Sequence, residues 1–264
     1  MALFGETAML RFLPFINLIA FGMTVTVNAL ANILPINGQQ TGEISNRFPV
    51  LFVPANYVFA IWGLIYLALA AFVVYQALPG QAANPRLARI GWLFALSNVA
   101  NTAWIFLWHY ELFALTVLVM VGLLISLIAI YLRLGIGRTQ FIPTERWLLA
   151  APFSLYLGWI TVATIANVTT YLEFANWGGW GISPVAWTVM LLIVGVGIAA
   201  AISFRHRDVV YLGVLAWAFA GIAVKQSTFP MVAGGAAAAA LLVTLLILTA
   251  WVQPTPLRPL FARP

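Results

Sequence analysis

Eight long apolar runs divide this chain, and no other feature restricts its fold as sharply. They are 12–34, 53–78, 90–110, 112–132, 147–171, 184–204, 209–226 and 231–252. A helix rising 1.5 Å per residue needs roughly 20 apolar residues to cross the hydrocarbon core of a bilayer. Each run has about that length, and 209–226 is the shortest. Between them stand the breakers expected at helix ends, among them Pro35-Ile36-Asn37-Gly38, Pro79-Gly80, Gly178-Gly179 and Pro254. The expected fold is all-α, a polytopic membrane helix bundle of about eight transmembrane helices.

Composition supports lipid as the solvent. Of 264 residues, 64% are hydrophobic and 7% charged, whereas a soluble domain carries about 25% charged residues. So few charges cannot cover a water-soluble surface of this size. There is no cysteine, which removes disulfides, thiol catalysis and thiolate metal sites. The first run is long and lacks a small-residue cleavage site, so no cleavable signal peptide is expected.

Charge placement gives an orientation. With eight crossings, both termini and the even-numbered loops share one side. That side collects Arg11, Arg86, Arg89, Arg133, Arg138, Arg146, Arg205, Arg207, Arg258 and Arg263, while Arg47 and Lys225 remain opposite. Ten against two is the positive-inside pattern, so the expectation is a multi-pass cell-membrane protein with both termini cytoplasmic.

Two connections exceed simple turns: a polar loop at 35–51 and a Trp- and Gly-rich loop at 173–183, both non-cytoplasmic. Loops of that length can cap a site. Alanines 236–240, with Gly235, suit a smooth face for close helix packing.

Ionisable residues inside a bilayer usually mark function, because each is costly unless paired. Here no Asp, Glu or His lies near the middle of a run, and His109, Glu111 and Glu173 fall at the non-cytoplasmic ends. This speaks against a proton relay, a carboxylate ion site and a metal site. His206, within Arg205-His206-Arg207-Asp208, reads as part of a solvated turn. Lys225 is the one cation embedded in a run. It has two readings: a retinal Schiff-base lysine, or a side chain snorkelling to the nearby interface.

The eleven tryptophans are the informative residues. Trp92, Trp108, Trp147, Trp177, Trp180, Trp187 and Trp251 fall near predicted interfaces, as an aromatic belt does. Trp62, Trp104, Trp159 and Trp217 lie deeper. Phe59, Trp62 and Tyr66 share one face of the second helix, and Asn101, Trp104 and Trp108 repeat that spacing on the third. Tyr156, Trp159, Ala163 and Asn167 do so on the fifth. Two readings stay open: a slot lined by rings and amides, suited to a flat hydrophobic ligand, or ordinary helix packing with buried amides bonding across helices.

Three motifs then carry a resemblance. Phe52-Val53-Pro54-Ala55-Asn56-Tyr57-Val58-Phe59-Ala60-Ile61-Trp62-Gly63-Leu64-Ile65-Tyr66 resembles the proline-aromatic segment that opens the second helix of the TspO/MBR family, the tryptophan-rich sensory proteins and mitochondrial translocator protein. Asn101-Thr102-Ala103-Trp104 is similar to the family's Asn-x-x-Trp stretch. Pro152 to Trp159, followed by Ala163-Thr164-Ile165-Ala166-Asn167, is similar to its fifth-helix pattern. The resemblance covers roughly residues 10–172, which implies a five-helix TspO-like domain at 1–172 and a three-helix transmembrane extension at 173–264. The family's double proline is Pro54-Ala55 here, and Tyr171 is followed by Leu172-Glu173-Phe174 rather than a basic residue, so the proposed cholesterol-recognition pattern is incomplete.

The resemblance implies a binding protein, a sensor or carrier, for a porphyrin or similar flat apolar ligand held between helices 2, 3 and 5. Its site residues would be Phe59, Trp62, Tyr66, Asn101, Trp104, Trp108, Tyr156, Trp159, Ala163 and Asn167, with 35–51 as a lid. A bound porphyrin or haem-like tetrapyrrole is the implied ligand, with no obligatory cofactor and no metal. No catalytic residue is expected, although some family members are said to degrade protoporphyrin photochemically through pocket tryptophans. The expected partners are membrane lipid and an apolar small molecule, with room for a homo-oligomer and none for nucleic acid. The alternatives are a secondary transporter, a pigment- or lipid-linked membrane enzyme, and a retinal-type photoreceptor using Lys225.

Overall fold

The structure is a computed structural model that describes residues 2–252, with side chains from residue 12. Arg258, Arg263 and Pro254, and the side chain of Arg11, lie outside the described residues. Among the described residues there is no strand. Each apolar run holds one long helix: α1 (Ala2–Ile33), α2 (Ile61–Ala77), α3 (Leu93–His109), α4 (Phe113–Leu134), α5 (Ala151–Phe174), α6 (Pro184–His206), α7 (Val209–Lys225) and α8 (Pro230–Val252).

Among the described residues six stretches are long and apolar enough to cross a membrane: Phe12–Ile33, Asn56–Ala77, Phe113–Leu134, Pro143–Phe174, Pro184–His206 and Pro230–Val252. Helices α3 and α7 have 17 residues each, about 25 Å of rise and the lower limit for a crossing. The chain is a multi-pass helical membrane protein.

Contacts group it into two compact units that interleave along the sequence. The first comprises Met1–Ile44, Gly63–Gly135 and Phe141–Phe153, and the second Ser45–Trp62, Ile136–Gln140 and Ser154–Pro264.

In the first unit α3 packs on both α1 and α4. The α1 seam is polar. Thr24 places its hydroxyl 3.0 Å from the Asn98 carbonyl and 3.1 Å from the Thr102 hydroxyl. Asn28 donates through Nδ2 to Asn101 Oδ1 at 2.8 Å, and Asn17 to Gln76 Oε1 of α2 at 2.9 Å. In lipid each such bond contributes about 0.6–2 kcal/mol and fixes which faces meet. Phe72, Phe94 and Phe153 form a fully buried edge-to-face core.

At one end of that unit, Asn84 caps the short helix Pro85–Ile90 by accepting from the Arg86 N–H. Arg86 pairs with Glu145 at 3.0 Å and lies 3.8 Å over the Phe141 ring. Burial pushes its guanidinium below its ordinary pKa, and Glu145 opposes that. A π-helical turn, Arg146–Ala150, leads into α5. Its cause is local: Pro152 lacks an N–H and its ring crowds the carbonyl four residues earlier, so the helix widens there.

In the second unit α6, α7 and α8 pack on one another. Val232, Ala236, Ala239 and Val243 make the buried stripe of α8, so the expected small-residue face is a packing face. A Cβ on Gly195 would come 2.6 Å from Phe219, so glycine there lets α6 approach α7. Asp208 caps α7, its Oδ1 accepting the N–H groups of Val210 and Tyr211 at 3.1 Å.

His206 departs from the sequence reading. It is 7% exposed rather than solvated, and its Nδ1 donates to the Ile136 carbonyl at 2.8 Å. Gly137 makes this approach feasible, because a side chain there would overlap the His206 backbone and its φ is +73°.

Candidate ligand site

The motif that opens α2 owes its shape to Pro54 and to α7. Ala55 is extended (ψ 151°) and a single 3-10 turn, Asn56–Ala60, precedes the helix. The Ala55 N–H donates to the Gly221 carbonyl at 3.1 Å. Trp217 Nε1 donates to the Val58 carbonyl at 3.3 Å, and Gln226 Nε2 to the Leu51 carbonyl at 3.0 Å. Tyr57 meets the Trp217 ring edge-on at 5.5 Å. Residues 51–58 therefore lie against α7 before α2 begins.

That placement assembles an aromatic cluster in the second unit. Phe59 stands edge-on to Trp159 with centroids 5.5 Å apart. Trp62 meets Tyr156 at 5.9 Å and Trp159 at 6.3 Å, again edge to face. Tyr156 and Trp159 are each 2% exposed, while Phe59 and Trp62 are half-buried. The Trp159 indole N–H is buried and has no hydrogen-bond partner among the described residues. Indole N–H groups normally find an acceptor when buried, and leaving one unmade costs about 1–3 kcal/mol. One and two turns further along α5, Ala163 is half-buried and Asn167 buried.

The remaining predicted residues lie in the first unit. Asn101 is buried and accepts from Asn28. Trp104 stacks on Trp108, with centroids 5.0 Å apart and planes at 20°. Trp108 is buried, not at an exposed belt, and its Nε1 donates to the Thr41 carbonyl at 3.2 Å. Tyr66 is half-buried.

The 35–51 loop has two halves. The first is fastened to the end of α3: Asn37 Nδ2 donates to the His109 carbonyl at 2.9 Å and Gln39 to Glu111 at 3.0 Å. His109 is fully buried, its Nδ1 2.7 Å from the Ile105 carbonyl and its Nε2 3.3 Å from the Thr41 hydroxyl. A carbonyl only accepts, so Nδ1 carries a proton and donates to Ile105, while Nε2 and the Thr41 hydroxyl share the second bond. From Ser45 onward the loop belongs to the second unit, where Gln226 holds it.

A family model described as TSPO-like protein matches residues 14–249. The chain belongs to the TSPO-like family. The match continues beyond residue 172 into α8. No curated protein and no solved structure matches the chain.

In this TSPO-like chain several supporting residues escape a motif reading. A Cβ on Gly221 would overlap Val58, and one on Gly158 would come 3.0 Å from Val214 and 3.2 Å from the Tyr211 carbonyl. Tyr211 also donates to Thr161 of α5 at 2.9 Å. The signal available was glycine inside an apolar helix, which costs about 1 kcal/mol and so calls for a packing reason. Lys225 is the last residue of α7 and half-buried. Among the described residues no three His, Asp or Glu side chains come together as a metal site.

Proposed function

We propose that this chain is a membrane binding protein, a sensor or carrier, for a tetrapyrrole or a similar flat apolar ligand, held on the cluster of Phe59, Trp62, Tyr156 and Trp159. One observation carries the reading: among the described residues the buried Trp159 N–H finds no acceptor, within a shell of rings. A flat aromatic ligand supplies a face or edge to those rings and a nitrogen or oxygen to that donor. Phe59 and Trp62 are the half-buried members, so the ligand enters past them. Ala163 and Asn167 extend the same helix with a small surface and an amide. Membership of the TSPO-like family supports this reading.

Both termini are proposed to be cytoplasmic, on the ten-to-two division of basic residues. The test of function is the absorption spectrum of protein purified in the dark, with mass spectrometry of whatever co-purifies. A tetrapyrrole band, in the isolated protein or after addition of protoporphyrin, is the expected result. A retinylidene band that borohydride traps on Lys225 would overturn the reading, as would failure to bind protoporphyrin.

A further inference from the structure

A surface concavity of about 480 Å³ lies between the short helix Pro85–Ile90 and α4, lined by Ala88, Arg89 and Arg133. Arg133 occupies the last turn of α4, and its Nη1 donates to the Arg89 carbonyl at 3.3 Å. That bond uses one of the carbonyls a helix end leaves unsatisfied and holds the Arg133 guanidinium in the concavity beside Arg89. Both side chains are exposed. The chain has only six acidic residues, and Glu145, which serves this end of the unit, is engaged with Arg86. Among the described residues neither Arg89 nor Arg133 pairs with a carboxylate.

Two like charges sharing one concavity repel, and an anion between them reverses the sign of that energy. The level is the membrane boundary, since Arg133 closes a hydrocarbon-spanning helix. Apolar surface adjoins it in sequence: Leu132 is 52% and Trp92 44% exposed, as lipid-facing interface residues are. A guanidinium matches phosphate oxygens in a two-pronged geometry that lysine cannot reproduce.

We propose that Arg89 and Arg133 form a binding site for the phosphate of an anionic phospholipid headgroup. The shared chemistry is a phosphate oxyanion, and the flanking apolar surface selects the lipid form over a free solute. Anionic lipid retained at this concavity stabilises the junction between helix Pro85–Ile90 and α4.

The test exposes detergent-solubilised protein to equal amounts of phosphatidylglycerol and phosphatidylcholine and counts retained lipids by native mass spectrometry. The parent retains phosphatidylglycerol preferentially. Arg89→Gln and Arg133→Gln each weaken that retention roughly fivefold, since a basic residue near the surface contributes about 1 kcal/mol toward an anionic lipid. Arg146→Gln, an exposed arginine that does not line the concavity, keeps the preference. The Arg89→Lys/Arg133→Lys double variant retains charge and gives an intermediate value. Equal retention of both lipids by the parent, or unchanged preference in the glutamine variants, overturns the proposal. Displacement of the lipid by millimolar inorganic phosphate would make this a solute site and overturn the lipid assignment.

Discussion

Trp62 stands edge-on to Trp159, their ring centroids 6.3 Å apart and their planes at 81°. That geometry sets the positive edge of one ring against the negative face of the other and contributes about 0.5–1.5 kcal/mol beyond area burial. The pair joins the first turn of α2 to the middle of α5. Trp62→Ala removes the contact with a half-buried ring, so a loss of about 2–3 kcal/mol is expected. Trp92→Ala, at a ring 44% exposed, should change the thermal midpoint little. Thermal melts of both variants in one detergent make the comparison.

Gly221 is where α7 accepts the α2 motif. A methyl group there would overlap Val58 and approach Pro54 Cβ to 3.1 Å. Gly221→Ala is expected to destabilise by about 1–3 kcal/mol through overpacking. Gly213→Ala, on the same helix with nothing within 4 Å, should be neutral or gain up to about 1 kcal/mol of helix propensity. Equal melts for the two variants would mean α7 does not position the motif.

Asn37 combines a left-handed backbone, φ +52°, with a side-chain bond to the His109 carbonyl. Asn37→Ala loses both the bond and the ease of that conformation, a cost of about 1–2 kcal/mol. Asn37→Gly keeps only the conformation. Hydrogen exchange over residues 35–44 should quicken in the order parent, glycine variant, alanine variant.

Much of the fold was legible because lipid leaves a coarse trace: eight apolar runs became eight long helices within a few residues at most ends. Two exceptions have local causes, whereas α1 simply begins ten residues before its apolar run. Pro54 and the extended Ala55 delay α2, and Pro152 widens the approach to α5. Side-chain partners were less legible, because spacing shows which residues share a face and not what that face meets. The spacing of Phe59 and Trp62, and of Tyr156 and Trp159, anticipated one cluster. The same spacing in Asn101, Trp104 and Trp108 belongs to contacts within the first unit, with Asn28, Thr41 and Phe113. His206 looked solvated beside two arginines, yet a glycine 69 residues earlier lets it reach a buried carbonyl. The weight of Gly221 and Gln226 depends on contacts more than 160 residues apart in sequence, which no local pattern encodes.

Orientation has its own test. Ten of twelve basic residues share one side if eight helices cross and both termini are cytoplasmic. Reporter fusions after residue 264 and within 35–51 should then report opposite compartments. The same compartment for both would refute the crossing number.

The most direct test of the ligand site is a protoporphyrin titration, read by tryptophan fluorescence, of the parent, Trp159→Phe and Trp251→Phe. The Trp159 N–H has no acceptor among the described residues, so on the proposed reading phenylalanine removes a donor that serves the ligand. The predicted result for Trp159→Phe is affinity lower by about threefold to tenfold, the equivalent of roughly 0.5–1.5 kcal/mol, with a nearly unchanged melt. Trp251→Phe, at a ring 78% exposed on α8, should bind as the parent does. Parent-like binding by Trp159→Phe would contradict the account and leave the aromatic cluster as packing alone.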